Sequence, residues 1–309
     1  MKFTFLGTSA GTPTKKRNVS ALAFEMDNEK GWYLFDCGEA TQHQILKTNY
    51  SLNRLKTVFI THLHGDHIYG LFGVITSRML NKSTEPLTIY GPKGLREIIT
   101  AAVDVSFEHL GYDLEFIEVY AGFEENFENF DIKVLPLIHS IESYAYFIQE
   151  KEKISLNAQK LKDDGLMPSP HYQKIKDGND IEINGKIYKS EDYVEIKKGR
   201  KIIIAGDNAE PDILGKYLKN LDLLIHEATY TQSVYDSLET KYLHTTAKNL
   251  ALACEYFGVK NLIATHISPR FEGGEILSEI KEYYKGNAFV ANDFDTYVLY
   301  DDKIKKEGR

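Results

Sequence analysis

The chain has 309 residues, 37 Lys and Arg against 45 Asp and Glu, and a formal net charge of −8, which excludes a globally basic protein that coats nucleic acid by charge alone. At 42% hydrophobic and 27% charged it reads as a folded globular protein rather than a disordered or fibrous one, long enough to bury a sizeable core. Two cysteines, Cys37 and Cys254, are too few for a disulfide framework or a thiolate metal site, so a reducing, cytoplasmic setting is expected.

Met1 to Gly7 carries one basic residue and a short apolar stretch, unlike the long apolar core of a signal peptide. No apolar run approaches the roughly 18 residues that a bilayer span requires, so the chain is expected to be neither exported nor embedded. Short β-rich runs then alternate with helical patterns, which predicts an α/β protein. Val58-Phe59-Ile60-Thr61 runs into His62, and Val134-Leu135-Pro136-Leu137-Ile138 runs into His139. Ile202-Ile203-Ile204-Ala205 runs through Gly206 into Asp207, Leu223-Leu224-Ile225 into His226, and Leu262-Ile263-Ala264-Thr265 into His266. Functional residues of α/β sheets gather at strand carboxyl ends. One such ending is unremarkable, and the recurrence of a ligand-type side chain at all of them points to a shared site.

Between about residues 150 and 195 the character changes. Lys151 to Asp164 is charged and short of large apolar groups, Pro168-Ser169-Pro170 interrupts, and Lys197-Lys198-Gly199-Arg200-Lys201 precedes the next strand. This reads as an insertion in a single domain spanning 1–309. After His244, Thr245-Thr246 can cap a helix whose Ala247, Leu250, Ala251 and Cys254 form an apolar stripe, with Gly258 as its stop. Lys303 to Arg309 is expected to be a frayed polar tail.

The sharpest local signal is Thr61-His62-Leu63-His64-Gly65-Asp66-His67. So many ligand-type side chains in so few residues cannot all face a core, and such a loop can converge imidazoles and a carboxylate on metal ions. A ligand set without thiolate suits zinc, with manganese or iron as alternatives.

The His62 to His67 stretch resembles the signature of the metallo-β-lactamase fold, an αββα sandwich of two mixed β-sheets flanked by helices. From Phe5-Leu6-Gly7-Thr8-Ser9 through Asp36-Cys37-Gly38-Glu39 to His266-Ile267-Ser268 the chain is similar to the bacterial ribonuclease Z family of tRNA 3′-processing endonucleases. That resemblance implies two zinc ions per subunit. It places His62, His64 and His139 on one and Asp66, His67 and His266 on the other, with Asp207 bridging. It implies phosphodiester hydrolysis in which the two metals stabilise the attacking and leaving oxygens. His226-Glu227-Ala228-Thr229 and His244-Thr245-Thr246 resemble paired family motifs, with Thr245 replacing the usual serine. They suggest that Glu227 tunes His244 as the acid for the leaving 3′ oxygen while Asp66 accepts a proton from the attacking water.

Pro13-Thr14-Lys15-Lys16-Arg17-Asn18 matches a family loop near the substrate 3′ end. Lys15 and Arg17 are expected to meet phosphates there, Asn18 a base edge or the loop itself, and Pro13 is counted with them as substrate-binding. Arg270 is expected to clamp the scissile phosphate. The insertion resembles the family's protruding arm, which grips the tRNA elbow through Pro168, Pro170 and the charges of Lys160, Lys162, Lys174 and Lys176. Ser169 stands where glycine is usual, so a turn needing positive φ there would be strained. Ala40 and His43 also depart from the family, and His43, His109 and His171 carry no expected role. The implied partner is precursor tRNA, in a homodimer, with no membrane. The alternatives are a binuclear-metal phosphodiesterase acting on small phosphodiesters and a non-catalytic RNA-binding relative.

Overall fold

The computed structural model describes residues 1–106 and 109–308. Among these, an eight-stranded sheet runs in the order Lys303–Lys306, Thr296–Tyr300, Lys2–Gly7, Ala21–Glu25, Trp32–Phe35, Leu55–Phe59, Leu87–Gly91 and Leu114–Glu118. A seven-stranded sheet runs Asn287–Val290, Asn261–Thr265, Leu223–Glu227, Lys201–Ala205, Tyr144–Glu150, Phe130–Pro136 and Glu124–Asn126.

Alternation along these strands sends one set of side chains between the sheets and the other outward. Phe3, Phe24, Tyr33, Phe35 and Phe59 from the first sheet meet Phe130, Val134, Tyr146, Ile204 and Ile225 from the second in one buried cluster. Phe59 lies at its middle, stacked on Phe35 at 4.8 Å and on Tyr90 at 5.3 Å, and truncating such a ring to alanine costs about 3–5 kcal/mol. The outward face of the first sheet is covered by helices Leu71–Leu80 and Leu95–Ser106 through Val74, Ile75 and Ile99. That of the second is covered by Ala247–Phe257 and Gly274–Tyr283 through Leu250, Cys254, Ile276 and Ile280. The helix 247–257 is capped as the sequence predicts: Thr246 Oγ1 accepts the Asn249 N–H at 3.1 Å, and Gly258 ends it at φ 70°.

The strands Trp32–Phe35, Leu55–Phe59, Leu87–Gly91 and Leu114–Glu118 run parallel on one side of the first sheet, as do Lys201–Ala205, Leu223–Glu227, Asn261–Thr265 and Asn287–Val290 on one side of the second. Thr57 pairs with Thr88, Ile203 with Leu224, and Leu224 with Leu262. Their carboxyl ends therefore open on one edge of the sandwich.

Residues 153–197 form a unit of their own. Lys153–Leu156 pairs with Val194–Lys197 as a two-stranded stalk, and beyond it Leu161, Leu166, Ile175, Tyr188 and Tyr193 make a small separate core. Ser169 has negative φ, so the strain expected from glycine replacement does not arise; Pro170 follows it as the cap of a helical segment His171–Lys176. The expected frayed tail is also corrected. Lys303–Lys306 is an edge strand paired to Thr296–Tyr300, fixed because Ile304 is buried in the inter-sheet cluster; Arg309 lies outside the described residues.

Candidate metal centre

The chain from Thr61 to Ile68 turns strand geometry into ligand geometry. His62 and His64 leave the strand Leu55–Phe59 two residues apart, and so share a face of the extended segment. Gly65–Ile68 then makes a single helical turn, with the His67 N–H on the His64 carbonyl at 3.0 Å, which sets Asp66 and His67 side by side. The turn is packed too tightly for a side chain on its neighbour: a Cβ at Gly38 would lie 2.3 Å from the Asp66 carbonyl oxygen.

His62, His64, His139 and Asp207 each bring one donor atom within 4.8 Å of the others, and Asp66, His67 and His266 do the same. Asp207 faces both groups. Its Oδ2 lies 3.7 Å from His62 Nε2 and 3.8 Å from His139 Nε2, while its Oδ1 lies 3.4 Å from both His67 Nε2 and His266 Nε2. Asp66 Oδ2 stands 3.5 Å from His67 Nε2 and 3.4 Å from His266 Nε2. An ion with ligand bonds of about 2.0–2.1 Å and tetrahedral angles separates its donor atoms by about 3.3–3.4 Å, so the 3.4–3.5 Å spacings of the second group match a divalent metal, and the 3.7 and 3.8 Å spacings from Asp207 Oδ2 lie a few tenths of an ångström wider.

A second observation supports the fit. The Nε2 atoms of His62 and His67 are buried and lack a hydrogen-bond partner among the described residues, a costly state for a polar atom unless something binds it. Burial and the neighbouring imidazoles push the His62 pKa well down, which keeps it neutral as a ligand must be.

The far side of four of the five rings, all but that of His64, is held. His67 Nδ1 meets Asp36 Oδ2 at 2.7 Å, His62 Nδ1 meets Thr61 Oγ1 at 3.0 Å, His139 Nδ1 meets the Leu243 carbonyl at 2.9 Å, and His266 Nδ1 meets Thr229 Oγ1 at 3.1 Å. Such partners fix ring orientation and tautomer. Asp36 also accepts the Thr61 N–H at 2.8 Å, and Asp66 Oδ2 accepts the Gly11 N–H at 2.9 Å. Asp36, Thr61, Thr229 and Gly11 were not assigned from sequence. Asp36 follows the strand Trp32–Phe35 as the ligands follow theirs, and that position was the available signal.

Beside the ligands, His244 Nδ1 lies 3.1 Å from Glu227 Oε1 and 3.8 Å from Asp207 Oδ2. Glu227 is buried, with its Oε1 taking the Asn208 N–H at 2.6 Å and its Oε2 taking the Thr229 hydroxyl. Burial opposes charge on His244, yet the Glu227 carboxylate outweighs it and raises the imidazole pKa. His226 turns inward, between the Asn208 amide and the Glu227 carbonyl, as structural support.

The remaining expected contacts divide. Pro13, Lys15 and Arg270 are exposed, and Asn18 Nδ2 donates to the Glu39 carbonyl at 2.9 Å. Arg17 is not exposed to meet phosphate: it is 5% accessible, and internal acceptors occupy its guanidinium. Pro168, Pro170, Lys174 and Lys176 are exposed on the arm, as are Lys160 and Lys162. His43 and His109 are exposed.

Two facing mixed sheets between helical layers, opening at one edge on a cluster of imidazoles and carboxylates, define a metallo-β-lactamase-fold hydrolase. The chain is similar to the metallo-β-lactamase fold protein YhfI from Bacillus subtilis, at a TM-score of 0.68 and 18% identity over 96% of this chain and 98% of that one. It is also similar to the human tRNase Z short form, at 0.69 and 27% over 97% and 100%. Curated proteins named ribonuclease Z share 41% identity in Marinobacter nauticus, over 98% of this chain and 97% of that one, and 42% in Bacillus cereus, over 97% and 99%. The family model described as Anti-Pycsar protein Apyc1 matches residues 1–173. The chain belongs to the ribonuclease Z family and, through residues 1–173, to that of the Apyc1 model.

Proposed function

We propose that this chain is a tRNA 3′ endonuclease that hydrolyses the phosphodiester after the discriminator nucleotide, leaving a tRNA 3′ hydroxyl and a 5′-phosphorylated trailer. The observation that carries this reading is the Glu227–His244 pair set against Asp207 at the edge of the ligand cluster, in a chain related over its length to proteins named ribonuclease Z.

His62, His64, His139 and Asp207 Oδ2 would hold one ion, and Asp66, His67, His266 and Asp207 Oδ1 the other. The imidazole and carboxylate set supports zinc at both, with manganese or iron as alternatives. Bound there, two dications supply Lewis-acid activation of water and stabilise charge on the reacting phosphoryl oxygens. Asp66 turns Oδ2 to His67 and His266 at 3.5 and 3.4 Å, and as a carboxylate it is ionised at neutral pH, able to accept a proton from the attacking water. His244 presents Nδ1 to Glu227, which leaves Nε2 to donate a proton to the leaving 3′ oxygen. Its raised pKa keeps that proton in place at neutral pH.

Arg270 and Lys15 are exposed cations suited to backbone phosphates near the cut. The arm, with Lys160, Lys162, Lys174 and Lys176 exposed, suits a shape-directed grip on folded RNA. The family resemblance supports a cytoplasmic homodimer. No helix among the described residues is long and apolar enough to cross a membrane.

The test is to map product ends on one precursor tRNA lacking an encoded CCA, with and without chelator. A single cut after the discriminator nucleotide, abolished by chelator, is expected. Cuts scattered along the RNA, or cleavage indifferent to chelator, would overturn the assignment.

A further inference from the structure

The Pro13–Asn18 loop lies against a second loop, Ser268–Gly273, which follows the ligand His266 and carries Arg270. Arg17 is where they join. Its Nη1 donates to Thr8 Oγ1 at 2.7 Å and to the Ala291 carbonyl at 2.6 Å; its Nη2 donates to the Glu272 carbonyl at 2.9 Å and to Asn292 Oδ1 at 2.8 Å. These bonds tie the first loop to the second and to the segment 291–292 behind both. The fit is close, because a Cβ at Gly273 would stand 2.9 Å from Arg17 Nη2.

Arg17 also closes its own turn. Its carbonyl accepts the Thr14 N–H at 2.7 Å, and its N–H donates to Thr14 Oγ1 at 2.9 Å, which leaves Lys15 exposed at the tip. Just before that loop in the chain, Gly11 N–H reaches Asp66 Oδ2 at 2.9 Å, the oxygen that faces His67 and His266. The Ile267 N–H donates to the Thr8 carbonyl at 2.8 Å, next in sequence to His266. A movement of the loop would therefore reach a metal-ligand oxygen on one side and the His266 backbone on the other.

We propose that Arg17 is a positioning residue, which locks the Pro13–Asn18 and Ser268–Gly273 loops into one rim and through Gly11 holds the Asp66 carboxylate toward His67 and His266. Phosphate binding by the loop then falls to Lys15. The proposal adds to the reading of the site as a two-metal phosphodiester hydrolase centre. It can be separated from the tRNA assignment by a substrate that contains no RNA.

Arg17→Ala and Arg17→Lys are compared with the parent enzyme in three measurements: turnover of bis-p-nitrophenyl phosphate, metal retention against a competing chelator, and the salt dependence of precursor tRNA binding. Lysine keeps the charge but cannot make four directed bonds. Both variants are expected to lose about 10-fold or more in kcat on the small diester and to release metal at lower chelator concentration, with the salt slope of RNA binding unchanged. Full small-diester turnover and metal retention in both, with a salt slope smaller by about one, would make Arg17 a phosphate contact and overturn the proposal. Asn292→Ala, which removes one acceptor at the surface of the cluster, covers the case in which the Arg17 variants do not fold. A partial loss of metal retention supports the lock, and retention equal to the parent enzyme overturns it.

Discussion

Arg200 and Glu150 face each other across the root of the arm. Glu150 ends the strand that enters the arm and Arg200 precedes the one that leaves it; Arg200 Nε donates to Glu150 Oε2 at 2.7 Å and Nη2 to Oε1 at 2.9 Å. The guanidinium also bonds the Leu299 carbonyl of the other sheet and Asp27 Oδ2, both at 2.6 Å, and the Asp27 carboxylate meets the amino group of Met1. Because both residues of the pair are buried, Arg200→Met leaves Glu150 with only Lys153 as a cation partner, at 2.6 Å, and is expected to cost up to about 3–5 kcal/mol in chemical denaturation. Adding Glu150→Leu should recover part of that loss.

The same pair sets an acid limit. Burial alone would raise the Glu150 pKa, but hydrogen bonds from Arg200 and Lys153 bring it down to about 2. A carboxylate depressed in the folded state contributes stability that is complete above its unfolded value, near ~4.3, and is lost as pH falls through the folded one. Thermal melts should therefore decline between about pH 4.3 and 2, and Arg200→Met should flatten that part of the curve.

Asp207 touches both ligand groups, whereas His139 touches one. Metal analysis of purified variants should find Asp207→Ala depleted at both positions and His139→Ala depleted at one. Equal losses in the two variants would contradict the bridging geometry.

His244→Ala should lower kcat for precursor tRNA by about 10²–10⁴-fold at intact metal content, the usual range for a lost general acid. Glu227→Gln removes the carboxylate that raises His244. The alkaline limb of the pH profile, where an acid loses its proton, should then move to lower pH. A limb that stays in place would assign the proton to another group.

The stalk strands are paired to their ends, Lys153 opposite Lys197 and Leu156 opposite Val194, so replacing residues 158–192 by a short turn preserves the sandwich. Excision should reduce precursor tRNA cleavage far more than hydrolysis of bis-p-nitrophenyl phosphate. A parallel fall in both would deny the arm a part in RNA recognition.

Much of the centre was legible in the sequence because strand-end placement is local. The period-2 spacing of His62 and His64, the turn at Gly65 and the runs ending in His139, Asp207 and His266 are each readable within a few residues. The capped helix 247–257 was legible for the same reason. Arg17 was not: a basic cluster on a loop looks solvent-exposed, and its burial is decided by the Ala291 carbonyl, 274 positions away. The role of Asp36 depends likewise on His67 folding over it. The edge strand 303–306 is polar at three of its four positions, and Ile304 alone carries its apolar anchor.

The candidate ligands come from both halves of the sandwich. His62, His64, Asp66 and His67 follow a strand of the eight-stranded sheet, and His139, Asp207 and His266 follow strands of the seven-stranded one. Ions bound between them would rivet the two sheets together at their open edge. Loading with metal should then raise the force needed to peel one sheet from the other, and the loss of catalysis on chelation would be the first sign of a joint that has come loose.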